Sequence, residues 1–317
     1  NIKGWEKFVR RIADMKYRIN ITGSNSKMLS SEIASTLGGR FMIVDIYPYS
    51  FPEYLLAQGK NKNYLDILST KDRAEVLGMY DQYVKYGAFP ELVGIRNKRE
   101  FLNSIYQTIY LGDIITRNKI TNDFAVRLIL KKIAESITKP LSFNRLGNIL
   151  KSAGAAIGKQ TVINYVGYMM ESYMLFTLQN YAAKLIQKET SPKYYFMDTG
   201  LACYLSLWNN PRGLEVSAMA GAMFETYVIS EIIKSYANAG RDTRNRLCYY
   251  RDNNNKEIDL IILENGKAYP VEIKKSANPG KNAVRHFGVL KDMGLDVGEG
   301  AVICMTPMIL PIDEKNK

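Results

Sequence analysis

Hydrophobic and polar positions follow two rhythms along the 317 residues, one of helical period and one of strand period. Residues 2–18 place Trp5, Phe8, Val9, Ile12 and Met15 at helical spacing, which predicts an amphipathic helix. A short strand is predicted at Ile19 and Ile21, ending in the polar "GSNS". A helix over "SKMLSSEIASTLGGR" closes at Gly38-Gly39, and "FMIVDIYPYSF" reads as a buried-type strand. Strand, polar tip, helix and strand together predict part of an α/β nucleotide-binding sheet. Residues 51–135 read as mostly helical, broken at "YGAFPELVG", where Gly87 and Pro90 punctuate.

The texture changes at residues 141–197. "SFNRLGNILKSA" predicts a short helix and "AGAAIG" a turn. "KQTVINYVGYMMESY" predicts a second helix, with Val162, Val166, Met169, Met170 and Tyr173 on its apolar side. "MLFTLQNYA" and "KYYFMDTG" then read as strands around a polar connection. Helix, turn, helix and a two-stranded wing is the winged-helix pattern. Winged helices serve as DNA readers or as protein contacts. A DNA reader sends the start of its second helix into the major groove, here Lys159, Gln160, Thr161 and Asn164. Lysine can meet phosphate or guanine there, and Gln and Asn can pair with adenine. "PRGLE" (Pro211 to Glu215) is a plausible boundary.

Beyond it, "AGAMFETYVISEIIKSY" predicts a strong helix. Val228, Ile229, Ile232 and Tyr236 fall within about 60° of Glu225, whereas Glu231 lies well off that stripe. A carboxylate on a core-facing stripe is costly unless it is paired or metal-bound. The plainer alternative is a Glu at the stripe's end, near solvent.

In "EIDLIILENGKAYPVEIKK" the Asn265-Gly266 pair predicts a two-residue hairpin turn. Such a turn fixes the register, so Glu264 pairs with Lys267 and, further down, Asp259 faces Glu272 and Glu257 faces Lys274. Alternation then puts Glu257, Asp259, Glu272 and Lys274 on one face and Ile258, Leu260, Val271 and Ile273 on the other. Two carboxylates directly across a ladder repel. A divalent cation with oxygen ligands, such as Mg²⁺, offsets that repulsion, and Lys274 offsets part of it alone. A solvated, salt-bridged hairpin face is the plainer alternative. Ile261 and Leu263 beside Asp259 weigh against it.

Composition is that of a globular protein, 46% hydrophobic and 23% charged, long enough for more than one domain. No apolar run reaches the roughly 18–20 residues of a membrane span, and no cleavable apolar leader is evident. Cys203, Cys248 and Cys304 have the spacing of neither a disulfide framework nor a zinc site, which fits a reducing cytoplasm. His286 is the single histidine, so a His-based triad has only this residue to use. The net charge of +12 concentrates in residues 96–193, with 15 Lys and Arg against 6 Asp and Glu. That excess is either a footprint for a polyanion or a solvated helical surface. "GAAIGKQT" imitates a P-loop, but its glycines are one residue too close, Gln160 stands at the Ser/Thr position, and it follows a helix.

Glu225 on a helix, Asp259 on a strand and Glu272-x-Lys274 on the next resembles the PD-(D/E)XK nuclease superfamily, with Ile258 in place of the name's proline. The whole chain resembles prokaryotic AAA-type ATPases that carry a nuclease-like C-terminal region. The matching blocks are "ITGSNSKMLSSEIASTLGGRF", "YPYSFPEYL", "YGAFPELV", "YLGDIITRN", "FMDTGL", "FETYVISEI" and "EIDLII". The resemblance implies an α/β multidomain fold: part of a AAA core (1–56), a helical lid (57–135), a winged helix (136–210) and a PD-(D/E)XK-like domain (211–317). It implies that Ser24 or Asn25 lies near a γ-phosphate. It also makes Arg40 similar to an arginine finger acting on a neighbouring copy, hence a homo-oligomer. Family members carry the P-loop and the acidic Mg²⁺ motif before this point, so the chain reads as a fragment. ATP binding is accordingly expected of the intact protein rather than of this chain. The implied chemistry is Mg²⁺-dependent hydrolysis of duplex DNA. Asp259 and Glu272 would hold the metal, Lys274 would orient water or stabilise the phosphorane, and Glu225 would complete the surroundings. Two alternatives stay open: a non-catalytic DNA- or protein-binding module that keeps the fold as scaffold, and an ATP-driven switch whose C-terminal region recognises a partner.

Overall fold

The computed structural model describes residues 5–24, 42–60, 69–181, 191–208, 216–243, 245–306, 309–313 and 315–316. Helix α1 (Trp5–Asp14) forms where the apolar spacing predicts, with no residue buried. The two predicted strands of a nucleotide-binding sheet do not form. Residues 19–23 and 42–46 belong to no ladder, and Met42, Val44 and Ile46 are 86, 71 and 86% exposed. A strand exists only by pairing, and no described residue pairs with these two runs. The helix predicted between them, with Asn25, Arg40 and the Gly38-Gly39 stop, lies outside the described residues. So does the Pro211–Glu215 boundary.

A helical unit follows: α2 (Phe51–Ala57), α3 (Thr70–Tyr86), α4 (Lys98–Gln107) running into a π-helical stretch (Thr108–Thr116), and α5 (Asp123–Glu135). The predicted break at "YGAFPELVG" is where α3 stops, with Gly87 at φ 80°. Here the "YGAFPELV" and "FMDTGL" blocks interlock. A Cβ on Gly87 would land 2.0 Å from Asp198 Oδ1, and one on Gly200 would land 2.2 Å from the Tyr86 carbonyl oxygen. Asp198 is buried and accepts hydrogen bonds from the backbone N–H of Ala88 (2.8 Å) and of Leu201 (3.1 Å). Glycine is required at both positions because backbone and carboxylate fill the space of a side chain.

Helices α6 (Phe143–Ser152) and α7 (Lys159–Glu171) form in the predicted order, and α7 buries Val162, Val166 and Met169 in one core with Leu102, Ile129 and Leu146. Met170 is 38% exposed, because the next residue along a helix is turned by about 100° from Met169. Strands β1 (Leu175–Asn180) and β2 (Lys193–Phe196) pair antiparallel.

The same sheet continues without interruption. After α8 (Thr199–Cys203) and α9 (Val216–Asn238) come β3 (Leu247–Arg251), β4 (Glu257–Glu264), β5 (Lys267–Lys274), α10 (Val289–Asp292) and β6 (Ala301–Cys304). The strand order is β2-β1-β3-β4-β5-β6, with β1 parallel to β3, β5 parallel to β6 and the rest antiparallel. Helix α9 covers one face, packing Phe224, Val228, Ile229 and Ile233 on Tyr195, Tyr249, Leu260, Val271 and Ile273. Phe287 and Leu290 cover the other face at Cys248, Tyr250, Ile258, Ile261 and Ala268. Both faces are therefore core, and each fully buried Ile or Leu contributes about 1.5–3 kcal/mol.

The hairpin turns at Asn265 (φ 52°) and Gly266 (φ 77°), both left-handed as an Asn-Gly turn requires. The predicted register holds from Glu264↔Lys267 to Leu260↔Val271, and the ladder ends there, short of the expected Asp259–Glu272 and Glu257–Lys274 pairs. One expectation fails on the other side of β4. Tyr250 pairs with Ile258 but Cys248 pairs with Ile261, so Asp259 and Leu260 together oppose the single Tyr249. This β-bulge interrupts the alternation. Ile258 joins the core under Phe287, whereas Leu260 joins the core under α9 with Val271 and Ile273. The four apolar residues expected on one face are thus split between two layers.

Candidate functional site

The bulge residue Asp259 is the pivot of a charged cluster in otherwise apolar strands. Its side chain is only 11% exposed. Oδ2 accepts a hydrogen bond from the Ile273 backbone N–H at 2.9 Å, which ties the carboxylate to β5. Oδ2 also lies 3.7 Å from Lys274 Nζ, and Lys274 Nζ lies 2.5 Å from Glu272 Oε1. The sequence-predicted trio of Asp259, Glu272 and Lys274 is therefore brought together, and the bulge is what re-aims its first member.

Glu225, one turn into the buried part of α9, joins the cluster from the helix side. It accepts a hydrogen bond from Tyr195 Oη at 2.6 Å. Between helix and hairpin sits Lys193, at the start of β2 and fully buried. Its Nζ lies 2.6 Å from Glu257 Oε1, 3.5 Å from Glu225 Oε1 and 4.0 Å from Asp259 Oδ1. It also stands 5.1 Å from the Tyr249 ring centroid, a cation–π contact. Arg251 adds a 3.3 Å ion pair to Glu257. Sequence reading missed Lys193 and Tyr195. The available signal was a lysine in "KYYF", whose four residues are all buried.

The electrostatics follow from burial and from four carboxylates sharing one site. Burial pushes the Glu225 carboxyl up to about 7, against the pull of Lys193. Burial and then the Asp259 charge raise Glu272, with Lys274 opposing. Burial alone would lower both lysines. The Asp259 and Glu272 charges outweigh it at Lys274, and Glu225, Glu257 and Asp259 outweigh it at Lys193, so both are raised and stay ammonium ions.

A cation of the Mg²⁺ type can be tested against this donor set. Among the described residues no three His, Cys, Asp or Glu side chains converge to hold a metal ion. Mg²⁺ does not need such a cage: it is commonly held by one or two carboxylates and keeps several waters. Asp259 and Glu272, with side chains 11 and 12% exposed, are the two carboxylates that would fit that habit once Lys274 gives way to the ion. Glu225 and Glu257 are engaged by Tyr195, Lys193 and Arg251.

The remaining predicted residues lie elsewhere. Lys159, Gln160 and Asn164 are exposed and Thr161 half-buried at the start of α7, with Gln160 Nε2 donating to Asn164 Oδ1 at 3.0 Å. Ser24 Oγ donates to Asp113 Oδ1 at 2.9 Å and accepts from Arg117 at 3.3 Å, so it meets the "YLGDIITRN" block. His286 is half-buried in a turn and accepts a hydrogen bond from Arg285, apart from the acidic cluster.

Three family models match consecutive stretches of the chain. Residues 1–55 match a AAA domain, residues 77–212 the Domain of unknown function (DUF8612), and residues 220–317 the Domain of unknown function (DUF4143). The N-terminal part is thus similar to AAA-type ATPases. An uncharacterised protein of Methanocaldococcus jannaschii is 29% identical over 301 residues, 93% of this chain and 64% of the relative. An uncharacterised protein of Haemophilus influenzae is 28% identical over 204 residues, 63% of this chain and 49% of the relative. The chain therefore spans 64% and 49% of the length of these two relatives. No solved structure matches it. Among the described residues no helix is long and apolar enough to cross a membrane.

Proposed function

We propose that this chain is the C-terminal portion of a AAA-type ATP-binding protein acting on duplex DNA, with a Mg²⁺-dependent phosphodiester-hydrolysing centre at the β4–β5 hairpin. The observation that carries this reading is the convergence of Asp259, Glu272 and Lys274 at a β-bulge, with Asp259 fixed by the Ile273 N–H. In this reading Asp259 and Glu272 hold the cation, which when bound polarises the phosphate and lowers the pKa of a coordinated water. Lys274, 45% exposed, faces the incoming phosphate and stabilises its developing charge. Helices α6 and α7 with the β1–β2 pair act as a winged helix that seats the duplex through Lys159, Gln160, Thr161 and Asn164. In the intact protein the AAA part, self-associated through Arg40, drives remodelling with ATP near Ser24 and Asn25. The test is nicking of supercoiled plasmid in Mg²⁺ or Mn²⁺. Asp259→Ala and Lys274→Ala are expected to lose activity by at least 100-fold. Activity equal to wild type in both variants sinks the assignment.

A second reading is favoured by a specific observation: Lys193 and Lys274 already pair with the acidic cluster. The hairpin then serves as scaffold for a DNA- or protein-binding module of an ATP-driven switch. Salt-dependent DNA binding that is lost on Lys159→Ala/Gln160→Ala, with no Mn²⁺ uptake by wild type, selects this reading.

A further inference from the structure

Lys193 occupies an unusual position for a lysine. Its side chain is completely shielded from solvent, yet it reaches three carboxylates that come from two different elements, Glu225 on α9 and Glu257 and Asp259 on β4. Burying an ammonium ion is costly unless it is paired, and three carboxylates brought together without a cation are costlier still. The contacts at 2.6, 3.5 and 4.0 Å set the ammonium among oxygen atoms and supply positive charge to all three carboxylates. It arrives from β2, a strand outside the hairpin, and rests on the Tyr249 ring, so its position is fixed by the sheet.

The consequence for Asp259 is a division of its two oxygens. Oδ1 faces Lys193, and Oδ2 accepts from Ile273 N–H and faces Lys274. Glu225 and Glu257 are held on the Lys193 side. The other side holds Glu272 and Asp259 Oδ2, with the half-exposed Lys274 ammonium 2.5 and 3.7 Å from them, and an incoming divalent ion would have to displace it.

Resting on the metal-dependent reading above, we infer that Lys193 is a positioning residue whose ammonium group fills the place of a second cation, so that the centre takes one divalent ion and excludes Glu225 and Glu257 as ligands. A merely structural lysine would stabilise the sheet without setting how many ions bind.

The experiment is Mn²⁺ titration of the full chain by calorimetry, with electron paramagnetic resonance as a second readout and circular dichroism as the fold check. Wild type is expected to bind one Mn²⁺ and to give the signal of an isolated ion. Lys193→Met, which keeps the length of the side chain and removes its charge, is expected to bind two, with a spin-coupled signal. Lys193→Arg is expected to bind one. Wild type binding two, or a folded Lys193→Met binding the same number as wild type, overturns the inference. If wild type binds none while Lys193→Met binds one, the ammonium does stand in for a cation, and it is the catalytic reading that falls. If neither binds, both fall. Should Lys193→Met fail to fold in metal-free buffer, the inference expects added Mn²⁺ to restore its circular dichroism. Unfolding that Mn²⁺ leaves unchanged overturns it.

Discussion

Helix α9 twice brings a Glu to a Tyr and a Lys, to different ends. Toward its start, Glu225 meets Tyr195 Oη at 2.6 Å and Lys193 Nζ at 3.5 Å. Nearly two turns later, Glu231 meets Tyr83 Oη at 2.5 Å and Lys234 Nζ at 3.2 Å. The second set is balanced. Glu231 also accepts from the Phe51 N–H at 2.8 Å, and Lys234 also donates to the Tyr49 carbonyl at 3.0 Å. The rings of Phe51, Tyr54, Tyr80, Tyr83 and Tyr227 close around it with centroids 5.0–6.4 Å apart. It is a joint between the segment entering α2 and helix α9. The first set carries more acid, because Glu257 and Asp259 add carboxylates around Lys193 that Arg251 and Lys274 answer only in part. A Glu–Tyr–Lys set is therefore a fastening in one place and, with surplus acid, a candidate site in the other.

The widest separation between the two sets is expected from removing each lysine. Lys193→Met leaves three carboxylates facing one another and is expected to cost about 3–5 kcal/mol in metal-free buffer. Lys234→Met leaves Glu231 with two hydrogen-bond donors and is expected to cost about 1–3 kcal/mol. Urea unfolding measures both. Equal losses would mean that the surplus acid near Lys193 carries no energetic weight.

How much of this was legible follows the reach of each signal. The hairpin register was legible because an Asn-Gly turn is local, and it led to Asp259, Glu272 and Lys274. The bulge was not, because the two-for-one count at Asp259 and Leu260 is set by β3, a different strand. Glu225 was found by its place on the apolar stripe, while Glu231 was set aside for lying off it. That test assumes a helix with one wet face. Helix α9 is packed against the sheet on one side and against Phe51, Tyr80 and Tyr83 on another, so Ser230 and Lys234 are buried as well. Lys193 could not be assigned from "KYYF" alone, since its partners come from α9 and β4. The half-buried run near Ile19 and the exposed run near Met42 show the converse: strand composition makes no strand where no described residue pairs with it.

A smaller contrast is expected from pH. Burial holds the Glu225 carboxyl at about 7, above the ordinary 4.5, so over that interval the folded state keeps a proton that the unfolded chain has released. Stability from this group is then present below about pH 4.5 and is lost as the pH rises through 7, at most about 3 kcal/mol. The Tm in metal-free buffer should fall between pH 5 and pH 8, and Glu225→Gln should flatten that slope. A slope of the same size in Glu225→Gln would assign it to other groups, Glu272 among them.

The finest distinction lies between the two tyrosines. Each Tyr→Phe change keeps the ring and removes one hydroxyl, at about 1.5 kcal/mol for a hydrogen bond to a charged acceptor. Tyr83 has three polar neighbours, so its loss is shared: Glu231 keeps the Phe51 N–H and Lys234, and the Tyr49 carbonyl keeps Lys234. At Glu225 the Tyr195 hydroxyl is the short contact, and the lysine stands farther off at 3.5 Å. That hydroxyl favours the charged form of Glu225, which is populated above pH 7. Tyr195→Phe should therefore cost more at pH 8 than at pH 5, since a protonated Glu225 has no negative charge to stabilise. Urea midpoints at the two pH values read this difference. A Tyr195→Phe loss that is the same at both would mean that the hydroxyl does not distinguish the charged form of Glu225 from the neutral one.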